Sequence, residues 1–219
     1  MEANCHCPLN DSRIAVGAFS SLWNAETSIL SSVKEEGGLL LVSDDALVPV
    51  WFMDEFEAAR LPNEAMTFFF FFGIGNKWRE LYDKGYSYVR GRYLCGQINY
   101  YPQWLCSLYA DWTKLVTPVV LRNGAKSPQA ANLHPDPKYH YRNWNSDDGS
   151  MKACLTWAGK DIYMTLPHLC DHLRGESTLG HHGSKDWVSR AFGKSLLRKW
   201  DKQAVIDYTP PDIAKRYLT

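Results

Sequence analysis

The chain has 219 residues, of which 45% are hydrophobic, 14% aromatic and 22% charged. That is enough apolar material for a sizeable core, and a composition that excludes wholesale disorder. Its 24 basic and 24 acidic residues cancel, but residues 1–66 hold 3 Lys/Arg against 11 Asp/Glu, a net of −8, and residues 67–219 hold 21 against 13, a net of +8.

The N-terminus, Met1-Glu2-Ala3-Asn4-Cys5-His6-Cys7, lacks the basic and apolar regions of a secretory signal. The most apolar stretch, Ala65 to Gly75, has 11 residues, against the roughly 20 that a membrane-spanning helix needs. A soluble cytoplasmic protein with no membrane partner is expected. The six cysteines, at 5, 7, 95, 106, 154 and 170, form no compact disulfide framework, so reduced thiols fit this chain best. Cys5 and Cys7 lack the two-residue gap of a zinc knuckle.

In chain order, Asp11 and Ser12 cap a helix predicted from Arg13 to Lys34, closed by Gly37-Gly38. Leu39 to Val42 reads as a buried strand, and Ala46 to Phe52 as a second one that Pro49 pushes to an edge. Asp54 to Leu61 reads as a short acidic helix stopped before Pro62. Phe68 to Phe72 is a run of five phenylalanines. Alternate strand residues point to opposite faces, so this run predicts a central strand covered on both sides. After Gly73-Ile74-Gly75 a helix is expected at Asn76 to Lys84, without the glycine spacing of a nucleotide-binding turn.

Tyr86 to Ile98 suits a strand or hairpin. Tyr101 to Leu115 suits a helix with Trp104, Leu105, Leu108, Trp112 and Leu115 on one face. Val116 to Leu121 is a strand candidate. Asn123 to Ser150 is a long polar stretch with three prolines. Lys152 to Trp157 and Ile162 to Leu166 form an expected hairpin around Ala158-Gly159-Lys160-Asp161. A short helix follows at Pro167 to Arg174, then a basic helix from Lys185 to Lys202 and a last strand at Ala204 to Tyr208. Interspersed helices and strands without regular alternation predict an α+β fold. Its sheet is mixed or antiparallel, built around the Phe-rich strand and flanked by several helices. The organisation expected is a main portion at 1–122, the polar loop at 123–150, and a hairpin with the basic helix at 151–219.

Two groups of residues carry candidate chemistry. Arg190, Lys194 and Arg198 recur every four residues, with Val188, Phe192, Leu196 and Trp200 two residues out of phase. On a helix this gives a positive stripe opposite an apolar one. With Lys185 and Lys202 at its ends, and Lys138, Arg142 and Trp144 in the polar loop, it forms a set suited to pairing phosphates and stacking bases. The second group is histidine. His168 and His172 lie four apart on the predicted short helix, with His181 and His182 close behind. Two imidazoles at that spacing and a third from a nearby loop can hold zinc. The glutamate of H-E-x-x-H is missing.

The sequence completes no catalytic set. Its first functional expectation is a non-enzymatic binding or adaptor protein whose basic C-terminal portion engages an anionic macromolecule, either nucleic acid or an acidic protein. The alternative is a metal-dependent hydrolase, of the phosphoesterase kind, built on the late histidines.

Overall fold

A computed structural model describes residues 38–42, 46–68, 78–91, 98–123, 147–172 and 199–207. The chain divides into two compact units, Leu40–Pro102 with Asp161–Thr219, and Met1–Leu39 with Gln103–Lys160. The fold is α+β, and its main sheet is mixed.

The first unit carries that sheet. Its strands are β1 (Leu39–Val42), β3 (Ala65–Thr67), β4 (Tyr88–Gly91), β5 (Ile98–Tyr101), β6 (Ile162–Thr165) and β8 (Val205–Asp207), in the spatial order β1-β5-β3-β6-β4-β8. β3 pairs antiparallel with β5 and parallel with β6; β4 pairs antiparallel with β6 and parallel with β8. Every residue of β3 and β5 is buried, as central strands covered on both faces require. β1 is an edge strand. Its first three residues are half-buried and Val42 is exposed, so the predicted buried strand is corrected to an edge. A second pair joins β2 (Ala46–Leu47) to β7 (Asp171–His172), antiparallel.

Strand alternation divides the core into two layers. On one face Met66, Tyr88, Ile98 and Tyr100 meet α1 (Phe52–Ala59), which presents Phe52, Phe56 and Ala59 at helical spacing. Phe68, next after β3, inserts its ring edge-on at 5.9 Å from Phe52 and 5.4 Å from Phe56. On the other face Val89 and Met164 pack with Leu81 of α2 (Trp78–Asp83). Ala46 to Phe52 is thus no single strand: β2 ends at Leu47, and a turn closed by Phe52 N–H to Pro49 O starts α1. Phe68 is fully buried, and its N–H donates to Ile98 O. Phe69 to Phe72 lie outside the described residues, as does the helix predicted from Arg13.

In the second unit, α3 runs from Gln103 to Asn123 and contacts α4 (Asp147–Trp157). Among its described side chains the buried ones are Leu105, Cys106, Tyr109, Trp112, Thr113 and Val116, while Leu115 is exposed. The buried face is therefore rotated from the predicted one, toward Cys106 and Tyr109. The helix continues through Pro118, forgoing one backbone hydrogen bond, where a strand at Val116 to Leu121 was expected. α4 replaces the first arm of the predicted hairpin and takes in the end of the polar stretch; 124–146 lies outside the described residues. Met151, Cys154 and Leu155 supply buried positions at helical spacing.

The turn signal at Ala158-Gly159-Lys160 proves to be a helix stop. Gly159 has φ of 66°, its N–H donates to Thr156 O, and the Lys160 N–H donates to Leu155 O. This is a Schellman closure. α2 ends the same way at Gly85, φ 98°, with Tyr86 N–H on Leu81 O.

The aromatic layer under α1 generates a test. Phe56→Ala should cost about 3–5 kcal/mol, as for other buried aromatics. Met53→Ala, on the exposed side of the same helix, should stay within about 0.5 kcal/mol. Urea unfolding measures both, and equal costs would contradict this orientation of α1.

Candidate functional site

The described end of the basic run is residues 199–202, which lead into β8, and the placement of 199–207 comes from a set of hydrogen bonds. The Trp200 indole N–H donates to Glu55 Oε2 of α1 at 2.8 Å, and its ring lies 5.8 Å from that of Tyr88. Asp201 N–H donates to Ser87 Oγ at 3.1 Å, and Gln203 N–H to the Asp201 carboxylate at 2.9 Å. Ala204 O accepts from the N–H groups of Ser87 and Tyr88. β8 then runs parallel to β4, where Arg90 grips Asp207 through two bonds, of 2.6 and 2.9 Å. That pair is exposed and screened by solvent, so it contributes more to register than to stability. The Arg90 hydrogen bond holds the Asp207 carboxyl below the usual carboxylate range.

Residues 199–202 are not helical, which corrects the C-terminal end of the predicted basic helix. The physical reason is where the backbone donors go: the Asp201 N–H is taken by Ser87 Oγ, a tertiary partner, and the Gln203 N–H by the nearby Asp201 carboxylate, not by carbonyls four residues back. Trp200 packs against the core, and Lys199 and Lys202 are exposed. Of the remaining candidate anion-binding residues, Lys138, Arg142, Trp144, Lys185, Arg190, Lys194 and Arg198 lie outside the described residues.

The histidine group is rearranged. Pro167 to Cys170 is not helical, and Asp171–His172 is strand β7, with His172 in register with Ala46. The predicted short helix is therefore corrected, and with it the shared helical face of His168 and His172. Leu169 N–H donates to Phe68 O, tying this segment to the end of β3. His181 and His182 lie outside the described residues. Among the described residues, no group of three or more His, Cys, Asp or Glu is placed to hold a metal ion.

Burial controls the chemistry of the groups that are described. His168 is fully buried, and desolvation lowers its pKa to about 4, so the ring is neutral at pH 7. Burial, and then the charge of Asp171, pushes the Cys170 thiol well above its ordinary value. Burial likewise raises Cys106 to about 11. Both are protonated at neutral pH, the opposite of what a nucleophilic thiolate needs. Cys106, Cys154 and Cys170 are buried and form no disulfide.

Sequence periodicity pointed Trp200 inward but placed it on a helix. Glu55, Ser87 and Tyr88 escaped notice as its partners, because no local pattern links residues so far apart. No helix among the described residues is long and apolar enough to cross a membrane. Comparison with protein-family models, curated proteins and solved structures finds no match.

His168 makes stability depend on pH. Its folded pKa lies below the ordinary 6.5, so the unfolded chain takes up a proton first as pH falls. Stability is therefore lost from about pH 6.5 down to about pH 4, by about 3 kcal/mol in all. Urea unfolding at pH 7 and pH 4 should show this loss in the wild type and a smaller one in His168→Gln. Equal losses would assign the acid sensitivity to other groups.

Proposed function

We propose that this is a non-enzymatic binding or adaptor protein whose basic C-terminal portion engages an anionic partner. Nucleic acid is the first candidate and an acidic protein surface the second. The observation that carries this reading is the charge split, with residues 67–219 at a net of +8. Its support in three dimensions is the end of the basic run. Residues 199–207 are fastened to the sheet, which leaves the Lys199 and Lys202 side chains in solvent. A fixed base spares part of the ordering entropy that a free tail would lose on binding. Among the described residues Cys106, Cys154 and Cys170 are buried thiols, which suits a reducing, cytoplasmic setting.

Labelled single- and double-stranded oligonucleotides, titrated at about 50 and 200 mM salt, test the reading, because each neutralised phosphate releases counterions and affinity must fall as salt rises. Changing Arg190, Lys194 and Arg198 together to Glu should abolish binding. No binding at low salt ends the nucleic-acid version and leaves an acidic protein to be tested in its place. Near-stoichiometric metal in the purified protein, lost in His172→Ala, would turn the reading to the metal-dependent hydrolase, with zinc as cofactor.

A further inference from the structure

The most acidic described element and the described end of the basic run meet through one side chain. α1 carries Asp54, Glu55 and Glu57 within its eight residues. Glu55 accepts the Trp200 indole N–H at 2.8 Å. Lys199 adjoins Trp200 in the chain and Lys202 is two residues on, and successive Cα atoms are about 3.8 Å apart. Asp54, Glu57, Lys199 and Lys202 are all exposed. The contact is held on both sides: Trp200, half-buried, packs against the core cluster that includes Phe52 and Phe56 of α1, and Asp201 N–H is bound to Ser87 Oγ. Asp54 and Glu57 share this eight-residue helix with Glu55, so their carboxylates belong to the electrostatic neighbourhood of a polyanion held at Lys199 and Lys202.

We propose that α1 is a built-in competitor for the anionic partner: its carboxylates, tied to the Lys199–Lys202 segment by the Trp200–Glu55 hydrogen bond, lower the affinity of the protein for a polyanion. This rests on the binding function proposed above. The mechanism is electrostatic at medium range. Exposed charges within a Debye length, about 10 Å at 0.1 M salt, still act on one another, and the action fades as salt rises. The competition therefore discriminates against weakly charged ligands and yields to dense ones, such as a phosphate backbone.

The test compares two double variants of the full chain that change net charge equally. Asp54→Asn with Glu57→Gln neutralises the exposed α1 acids and leaves the Glu55 bond intact. Glu80→Gln with Asp83→Asn neutralises exposed acids on α2, which packs on the opposite face of the sheet. Each pair includes one acid that bridges a neighbouring cation, Glu57 to Arg60 and Glu80 to Lys84. The probe is a labelled oligothymidylate, and melting temperatures confirm that both variants fold. At about 50 mM salt the α1 variant should bind about three- to fivefold more tightly than wild type, and the α2 variant within about 1.5-fold of wild type. The α1 advantage should shrink at about 200 mM. Equal gains in both variants would reduce the effect to net charge and overturn the proposal. An unchanged affinity in the α1 variant, with the wild type binding, would overturn it and leave the binding function standing. No binding by any of the three proteins would overturn the proposal and end the nucleic-acid version of the binding function.

Discussion

Tyr88 ties together more of the sheet unit than any single contact around it. Its hydroxyl donates to Ala59 O at 2.7 Å, at the C-terminal end of α1. Its N–H donates to Ala204 O, at the entry to β8, and its ring lies against Trp200. Its backbone is in register with Thr165 on one side and Val205 on the other. One fully buried residue thus fixes a helix, two neighbouring strands and the returning C-terminal segment. Burial also pushes the phenol far above its ordinary pKa, which keeps the hydroxyl a donor. A phenylalanine here would retain the packing and leave a helix-end carbonyl short of its partner.

The same constraint explains how the charged surface is arranged. α1 is acidic on the side away from its phenylalanines, and Arg60 at its end lies over the rings of Phe56 and Tyr100 at 5.8 and 5.6 Å. Tyr100 in turn donates its hydroxyl to Pro62 O, so the chain leaving α1 is held down as firmly as the helix itself. The α1 acids are therefore carried on a rigid element, and Lys199 and Lys202 on a segment bolted to the same sheet. Their separation is set by packing, so it does not readily adjust to a ligand.

What could be read from the sequence was decided by the range of the signal. The class of fold followed from interspersed helical and extended patterns, and the acidic helix near Asp54, the helix near Trp78, and the strands at Ile162 and Val205 were each legible from local spacing. Failures came where one local signal serves two structures. Ala158-Gly159-Lys160 suits a hairpin turn and a Schellman closure alike, and only the partner of the preceding residues decides between them. Val116 to Leu121 is apolar and β-branched, yet it extends a helix that the buried face from Leu105 to Val116 had already committed. His168 and His172 had helical spacing, but Leu169 N–H is claimed by Phe68 O and Asp171–His172 by β2. Tertiary hydrogen bonds outweighed a pattern of four residues. The bond from Trp200 to Glu55 spans 145 residues and has no signature at all in a single sequence.

The parallel pairing of β4 with β8 has a consequence for how the chain reaches this state. Arg90 and Asp207 are 117 residues apart, and β8 is the last described element to emerge during synthesis. Until it arrives, β4 has β6 on one side and, among the described strands, none on the other, a row of open backbone groups in a half-built sheet. Closing a loop of that length is entropically slow, and parallel pairing offers no local turn to speed it. The nascent protein thus passes through a stage with an unpaired strand edge, the form in which chains most readily pair with one another. Rescue from that stage is delivered by the same segment that carries Trp200, so completing the sheet and presenting the basic residues are a single event.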